Sequence, residues 1–324
     1  MARALRLGLL GTGIAPNQLY RAAFEKLAKE GVLELVACAN RTRSKAEAYA
    51  KRLGIPKVVD DAEALFALPE VEAVVVSLPI ELQPRYVLAA LKAGKAVLSE
   101  KPVGPNVAAA KALIKSAKRY DAPWLVGENF AHMPHAQRLE EWVKNGALGR
   151  VRLVQATQMT WTDAKSPYFH TAWRQEPGHI GGFVVDAGVH IANIVRRCFG
   201  MPKTVKNLTA SFEASLPPID TAVAVLEFPS GVLGTWTSCF TAHYTGVMLR
   251  VYGSRANAEL DYNGGSLFDP KGKLKQRFPK QPVDSFEAQF RHFADVVKRG
   301  KRLLVTPEQT LEDLILLDRI AKRS

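Results

Sequence analysis

The sequence predicts an α/β chain of two domains: a doubly wound parallel sheet over residues 1–129, then an α+β domain with an open, mainly antiparallel sheet over residues 130–324. In the first part, short apolar runs alternate with helical patterns, as in a parallel sheet covered on both faces. In the second part, strand patterns follow one another without intervening helices, which indicates antiparallel pairing. The length of 324 residues also suits about two domains.

The first predicted element is a buried strand, Leu5–Leu10, that runs into a glycine-rich turn and then a helical pattern over residues 18–29. A Gly-x-Gly turn between a strand and a helix is the context in which this motif binds a dinucleotide. Gly11 would make the tight turn, and Gly13 would let the backbone approach a pyrophosphate at the helix N-terminus. Pro16 replaces the third glycine of the motif. The alternative is a glycine turn with a structural role alone.

The second strand, Leu33–Ala39, is followed by basic residues where an NAD enzyme usually places an acid. No carboxylate follows this strand before Glu47, whereas Arg41 and Arg43 are both cationic. Arginine binds a 2′-phosphate through charge-assisted hydrogen bonds, and a carboxylate would repel it. These residues therefore favour NADP over NAD. Ser44 and Glu47 could also form a helix capping box, which would leave the arginines available.

A lysine follows the predicted fifth strand of the first domain. The remaining predicted elements are strands at Lys57–Val59, 73–77, Ala96–Ser99 and 124–127 and helices at 61–67, 82–93 and 107–120. The fifth strand ends at Ser99, and Glu100 and Lys101 follow it. Pro102 biases Lys101 towards an extended backbone conformation. Ligands bind at the carboxyl edge of such sheets, so Lys101 is a candidate functional residue. The alternative is a surface lysine.

The second domain carries a second candidate pair. Its predicted elements are helices at 135–144, Gly182–Phe199, 286–298 and 307–322 and strands at 151–161, 204–212, 221–228, 232–240, 248–252 and 256–262. Asp186 and His190 are four residues apart on one helix and therefore share a face. Histidine exchanges protons near neutral pH, and an adjacent carboxylate can orient the ring. The alternative is a structural Asp–His pair.

Composition excludes several other classes of protein. The net charge of +13 favours anionic ligands, but the basic residues are dispersed and no nucleic-acid motif accompanies them, so nucleic-acid binding is not expected. No apolar run approaches the about 20 residues of a membrane span. The three cysteines, Cys38, Cys198 and Cys239, are widely spaced and predict reduced thiols in a cytoplasmic protein, with neither a disulfide framework nor a metal site.

Three motifs together resemble the Gfo/Idh/MocA oxidoreductases. They are the N-terminal Gly-Thr-Gly turn, the Glu-Lys-Pro at 100–102, and Trp-Arg at 173–174 followed by Gly-Gly-x-x-x-Asp-x-Gly-x-His at 181–190. The resemblance covers nearly the whole chain. It implies a Rossmann domain, a nicotinamide cofactor, a sugar-like polyol or aldose as substrate, and homodimers or homotetramers formed through the open sheet. It therefore implies hydride transfer at a secondary alcohol or anomeric carbon.

The resemblance also implies the residues of the site. Lys101, Asp186 and His190 fall on catalytic positions, with His190 expected as the acid/base and Lys101 to stabilise charge or relay the proton. Cofactor contacts are expected at Gly11, Thr12, Gly13, Ile14, Asn40, Arg41, Arg43, Ser77, Leu78, Gln83, Glu100 and Lys101. Substrate contacts are expected at Asn129, Trp161, Trp173 and Arg174, in a pocket that Tyr168 and Tyr244 would help to shape.

The chain departs from the family pattern at a few positions, and two other functions stay open. Gln83 stands where many members carry histidine, and Asn193 where many carry aspartate. A few relatives are glycosidases that oxidise and re-reduce a bound sugar while keeping their cofactor. A regulator that binds NADP without catalysis is the other alternative. The joint presence of Lys101, Asp186 and His190 favours catalysis.

Overall fold

The computed structural model describes residues 3–175, 181–243 and 246–322, so Tyr244 lies outside the described residues. The chain forms two compact units. Unit 1 comprises Met1–Asn129 and Val283–Leu311, and unit 2 comprises Phe130–Pro282 and Glu312–Ser324.

Within its described residues, unit 1 contains a six-stranded sheet in which all pairs are parallel. Its strands are β1 (Leu5–Leu10), β2 (Leu33–Ala39), β3 (Lys57–Val59), β4 (Ala73–Val76), β5 (Ala96–Ser99) and β6 (Trp124–Val126). The order is β3-β2-β1-β4-β5-β6, which is that of a doubly wound dinucleotide-binding fold. The predicted parallel sheet is confirmed. Its strands read as apolar runs because helices cover both faces.

The helices of unit 1 begin after the glycine turn. They are a π-helical turn (Pro16–Tyr20), α1 (Arg21–Lys29), α2 (Arg43–Leu53), α3 (Ala62–Ala67), α4 (Gln83–Lys92) and α5 (Val107–Ala117). The first predicted helix therefore starts earlier than expected and opens as a π-helical turn. Pro16 is tolerated there because a first-turn residue needs no N–H donor. Asn106 caps α5 by accepting from the Ala109 N–H at 2.9 Å.

Unit 2 contains a mixed, mainly antiparallel sheet of eight described strands. They are β7 (Val151–Met159), β8 (Thr204–Ala210), β9 (Thr221–Glu227), β10 (Leu233–Cys239), β11 (Leu249–Gly253), β12 (Asn257–Asp261), β13 (Gly264–Phe268) and β14 (Leu274–Pro279). The order is β14-β13-β12-β11-β7-β10-β9-β8, and β7 pairs with β10 in parallel. The predicted antiparallel character is confirmed. Strands β13 and β14 were not among the predicted strands, because their glycine, lysine and arginine residues give no apolar alternation.

Helices pack against this sheet. Helix α6 (Pro134–Lys144) contacts β12, β13 and β14. A short helix, α7 (Ala172–Gln175), precedes α8 (Gly182–Phe199), which contacts β7 and β10 and whose bounds match the prediction. At Gly188 a Cβ would lie 2.9 Å from Leu317 and 3.5 Å from Trp236 of β10, so α8 approaches both closely. None of the helices in the described ranges has the length and hydrophobicity that a membrane crossing requires.

The chain returns to unit 1 with α9 (Ser285–Arg299), and α10 (Pro307–Ala321) follows. The prediction assigned residues 130–324 to the second domain, whereas Val283–Leu311 packs in unit 1. The reason is an aromatic cluster: Phe290 lies 5.2 Å from Tyr20 and 4.5 Å from Phe24, centroid to centroid. Lys26 also bonds Glu287 at 2.7 Å. These contacts join distant segments and are not visible in local periodicity.

Candidate functional site

The parallel sheet of unit 1 brings the predicted cofactor residues to one edge. Strands β1, β2, β4 and β5 run in the same direction, so the residues after their carboxyl ends lie along the same edge. These residues are Gly11, Asn40, Ser77 and Glu100. Open α/β sheets bind ligands at this edge, next to the point where the strand order reverses. In this sheet the reversal lies between β1 and β4.

Gly11 cannot be replaced without moving the backbone. Its φ is +94°, and a Cβ built on it would lie 2.1 Å from the Ser77 carbonyl oxygen. Its N–H donates to the Ala39 carbonyl at 2.8 Å. The turn thus fits between the ends of β2 and β4, and only glycine fits this position. This is the role that the sequence analysis predicted for Gly11.

The side chains of Asn40 and Asn17 form hydrogen bonds that stabilise the glycine turn. The Thr12 N–H donates to Oδ1 of Asn40 at 3.2 Å. Nδ2 of Asn17 donates to the carbonyls of Thr12 at 2.9 Å and Gly13 at 2.8 Å. Asn40 was predicted to contact the cofactor, and in the structure its side chain holds the turn. Asn17 was not among the predicted site residues, and its signal in the sequence is an amide residue directly after Pro16.

The turn fits a dinucleotide pyrophosphate. A Cβ at Gly13 would meet no heavy atom within 4 Å, so the backbone borders open space there. The Thr12 side chain is buried, and its Oγ1 has no hydrogen-bond partner in the described part of the chain. A buried hydroxyl without a partner beside an open backbone suits a phosphate oxygen as acceptor. Of the other predicted contacts, Ile14 and Leu78 are half-buried and Gln83 is buried.

The two arginines after β2 differ in their surroundings. Arg43 donates from Nε to Oε1 of Glu47 at 2.9 Å and forms an ion pair with Asp60. The hydrogen bond to Glu47 and the charge of Asp60 raise the pKa of the Arg43 guanidinium. Arg41 is exposed and has no hydrogen bond or ion pair with any described residue. Arg41 is therefore the better placed of the two to bind an added phosphate.

The capping box that Ser44 and Glu47 could form for α2 is absent. Thr42 is the N-cap of α2 and makes no side-chain cap hydrogen bond. Ser44 lies inside the helix, and Glu47 pairs with Arg43 instead. The ion pair is favoured because residues four apart on a helix face each other.

Lys101 and Glu100 follow β5 at the same edge of unit 1, and both are half-buried. The Lys101 N–H donates to Oε2 of Glu100 at 3.2 Å. The Lys101–Pro102 peptide bond is cis. Asn129, a predicted substrate contact, is also in unit 1, where its Nδ2 donates to the Ser285 hydroxyl at 2.8 Å.

In unit 2, Asp186 forms a buried ion pair with Arg174. Nε of Arg174 donates to Oδ2 of Asp186 at 2.9 Å, and the two side chains are 12% and 8% exposed. The Arg174 guanidinium carbon lies 3.9 Å from the Trp173 ring centroid and 5.0 Å from that of Tyr168. The sequence analysis named Arg174 as a substrate contact. In the structure the Nε of Arg174 is used to hold Asp186, a pairing twelve residues apart that spacing did not suggest.

His190 lies one turn further along α8 and is half-buried. Its imidazole stacks on the Phe130 ring, with centroids 4.4 Å apart and planes inclined by 16°. The sequence analysis did not single out Phe130. Trp161, another predicted substrate contact, is 59% exposed and donates to Oδ2 of Asp163 at 2.9 Å.

The double glycine at the start of α8 has a packing role. Gly181 and Gly182 have φ values of +77° and +49°. A Cβ on Gly182 would lie 2.3 Å from the Pro217 carbonyl oxygen, and one on Gly181 would lie 2.5 Å from Cγ2 of Val185. Gly182 thus lets the backbone at Pro217 approach the start of α8, and Gly181 leaves room for the Val185 side chain. Helix α8 carries Asp186 and His190.

The strand order of unit 1 and its glycine turn define an NAD(P)-binding Rossmann domain. Residues 5–128 match the family model described as an oxidoreductase family with an NAD-binding Rossmann fold. Residues 136–259 match the model of the Gfo/Idh/MocA C-terminal domain. The chain belongs to the Gfo/Idh/MocA oxidoreductase family.

The chain is also similar to individual dehydrogenases and oxidoreductases. The chain is 27% identical over 296 residues to trans-1,2-dihydrobenzene-1,2-diol dehydrogenase of Bos taurus, covering 89% of this chain and 83% of that protein. An oxidoreductase of Thermotoga maritima is 29% identical, with a TM-score of 0.92 and coverage of 99% and 96%. The aldose–aldose oxidoreductase of Caulobacter crescentus is 26% identical, with a TM-score of 0.85 and coverage of 98% and 96%.

Proposed function

We propose that the chain is an NADP(H)-dependent oxidoreductase that transfers a hydride to or from a CH–OH carbon of a sugar-like polyol or aldose. The observation that carries the proposal is the glycine turn after β1, where Gly11 excludes a side chain and Gly13 borders open space. The relatives named above add the substrate class, since one is a diol dehydrogenase and another an aldose oxidoreductase.

The cofactor would be held along the carboxyl edge of unit 1. Gly13 and the Thr12 hydroxyl would face the pyrophosphate, and Arg41 would bind the 2′-phosphate that distinguishes NADP from NAD. The guanidinium of Arg41 is exposed and has no partner among the described residues, which supports this assignment, because it can form a phosphate hydrogen bond without breaking an ion pair to any of them. Arg43 would have to leave Glu47 and Asp60 to do the same.

The Arg41→Asp variant tests this cofactor preference. We expect it to raise the Kd for NADP roughly tenfold to a hundredfold and to leave the Kd for NAD within about threefold, because a hydrogen bond to a charged group contributes about 1.5–3 kcal/mol. Binding of both cofactors is measured by fluorescence titration. Arg43→Asp is the matched comparison, with a smaller loss expected. An unchanged ratio of the two Kd values in Arg41→Asp would contradict the assignment.

The proposed chemical roles fall on His190, Lys101 and Asp186. A bound nicotinamide supplies the carbon that accepts or delivers the hydride. His190 would remove the proton of the substrate hydroxyl in oxidation and return it in reduction. The Lys101 ammonium would hydrogen-bond the same oxygen and stabilise its developing negative charge, or relay its proton.

Asp186 would act beside His190. Its carboxylate is held by Arg174 at 2.9 Å, which supports a fixed acceptor on the face of α8 that also carries the imidazole. Such an acceptor would hydrogen-bond a substrate hydroxyl or orient the histidine. Because Arg174 neutralises its charge, Asp186 would do so without adding a net negative charge to the site.

We also propose that the open face of the unit 2 sheet forms a homodimer or homotetramer interface. Large apolar side chains lie exposed on this face: Leu208 (75%), Val223 (45%), Val225 (54%) and Leu233 (55%). Leu208 on β8 stands opposite Val223 on β9, so these two apolar side chains are neighbours on the exposed face. Exposed apolar patches of this kind mark interaction sites, and identical copies most often pair around a two-fold axis.

The Val225→Asp variant tests this interface. A two-fold contact would bring like charges together from both copies, so we expect the variant to shift the protein from oligomer to monomer at micromolar concentration. Mass is measured by light scattering after gel filtration. Val283→Asp is the control, since Val283 is also exposed but lies in unit 1. A wild-type chain that is monomeric at high concentration would contradict the proposal.

The function itself is tested by a substrate screen. Aldoses, inositols, vicinal diols and small ketones are mixed with the protein and NADP or NADPH, and the nicotinamide absorbance is followed. We expect a substrate-dependent change with at least one compound, faster with NADP(H) than with NAD(H). The absence of any change, together with tight cofactor binding, would favour a regulator instead.

A further inference from the structure

We infer that Phe130 is a positioning residue for His190 and that Tyr262 in turn orients Phe130. The inference rests on the role proposed for His190 and adds the contact that holds its ring in place. All three residues belong to unit 2. Phe130 opens that unit after β6, His190 lies on α8, and Tyr262 lies in the turn between β12 and β13.

The first contact is a face-to-face stack. The Phe130 and His190 centroids are 4.4 Å apart and the ring planes are inclined by only 16°. At this distance the phenyl ring covers one face of the imidazole and opposes rotation of the imidazole out of the common plane. The backbone beneath His190 is fixed, because the neighbouring Val189 and Ile191 are buried. The remaining freedom of the imidazole is rotation of its side chain, and the stack restricts it.

The second contact holds Phe130. Tyr262 meets it edge-on, with centroids 6.1 Å apart and planes at 89°. The backbone around Phe130 is also tied down, since the carbonyl of the next residue, Ala131, accepts from Gln137 at 2.9 Å and from Arg197 at 3.3 Å. Arg197 lies on α8, the helix that carries His190. The stack therefore joins two segments that are anchored to each other.

The orientation of the His190 imidazole matters for a geometric reason. A general acid/base works only within hydrogen-bond reach of the proton it moves, and a displacement of about 1 Å can cost on the order of 10²-fold in rate. A half-buried imidazole without a neighbour would sample several orientations. The Phe130 ring offers no hydrogen bond, so it restrains the imidazole without adding a hydrogen-bond partner to it.

The test begins with a signal that does not depend on activity. In protein labelled with ¹³C-histidine, the ring protons of His190 lie over the Phe130 face, so we expect them to be shifted upfield by its ring current. His190→Gln identifies the signal. Phe130→Leu should return it towards the position of an exposed histidine, and Phe130→Tyr should keep it. Phe169→Leu is the control: Phe169 meets His170 edge-on at 5.4 Å, so this variant should move only the His170 signal.

The second readout is kinetic and uses a substrate from the screen above. Phe130→Leu should lower kcat on the order of tenfold with KM nearly unchanged, because the misplaced imidazole affects the transition state more than substrate binding. Phe130→Tyr should restore kcat. Tyr262→Ala should give a smaller loss, and it serves also if Phe130→Leu fails to fold, since Tyr262 is 49% exposed.

Four outcomes are distinguishable. An upfield shift lost together with kcat supports the inference. An unchanged His190 signal in Phe130→Leu and in Tyr262→Ala overturns it, and so does a lost shift with wild-type kcat. If His190→Gln itself keeps wild-type turnover, the proposed acid/base role fails, and that result is separate from whether the stack exists.

Discussion

Replacing His190 with alanine should lower kcat by roughly 10²–10⁴-fold, the usual contribution of a positioned general acid/base. Lys101→Ala should lower kcat by roughly 10²–10³-fold, as expected when one donor to a developing oxyanion is removed. We expect KM to change much less in both variants, because both contacts strengthen as charge develops. Initial rates with a substrate from the screen provide the measurement.

Controls separate these losses from unfolding. Lys111→Ala removes an exposed lysine from α5 and should leave kcat unchanged. The thermal midpoints of the His190 and Lys101 variants should stay near that of the wild type, since both side chains are half-buried. Near-full turnover in either variant, with the fold intact, would remove that residue from the proposed mechanism.

The second large effect concerns stability. Asp313→Ala should lower the free energy of unfolding by about 3–5 kcal/mol, because it leaves a buried guanidinium without its carboxylate. Asp313 and Arg196 are 2% and 7% exposed, and Nε of Arg196 lies 2.5 Å from Oδ1 of Asp313. Oδ2 of Asp313 also accepts from Asn193 at 2.7 Å. The variant removes both of these contacts, which join α8 to α10.

Urea denaturation measures this effect, and the chain offers a matched control. Glu312 neighbours Asp313 and also faces Arg196, at 3.5 Å, but it is 49% exposed. Glu312→Ala should therefore cost less than about 1 kcal/mol, as exposed ion pairs do. Equal losses for the two variants would show that burial of the Arg196–Asp313 pair does not determine its strength. Asn193, which departs from the family pattern in the sequence, has Asp313 as its hydrogen-bond partner in the structure.

The sequence predicts best where local pattern determines structure. The bounds of β1, β2, β5 and α8 follow from apolar runs between glycines, or from a sustained helical period. The β13–β14 hairpin lacks such a pattern, and the sequence missed it. The assignment of Val283–Leu311 to unit 1 depends on contacts such as Phe290 with Phe24, which join residues far apart in the chain.

The same distinction applies to the candidate site. Gly11 was predictable because a positive φ in a turn with no space for a side chain requires glycine. The side-chain partners were not predictable: Arg174 pairs with Asp186, and Arg43 pairs with Glu47 and Asp60, and the predicted site roles of the two arginines named neither pairing. Phe130 gave no signal at all, since its stack on His190 depends on where two separate segments meet.

Transfer of deuterium to the product from NADPH that carries deuterium at both C4 positions, read by mass spectrometry, tests the proposed function most directly. The account predicts one deuterium on the carbon that becomes CH–OH, with equal consumption of cofactor, and a rate that falls in Lys101→Ala and His190→Ala. A glycosidase that keeps its cofactor would turn over substrate without net consumption. Product formed without deuterium, or label transferred at the wild-type rate by both variants, would contradict the account.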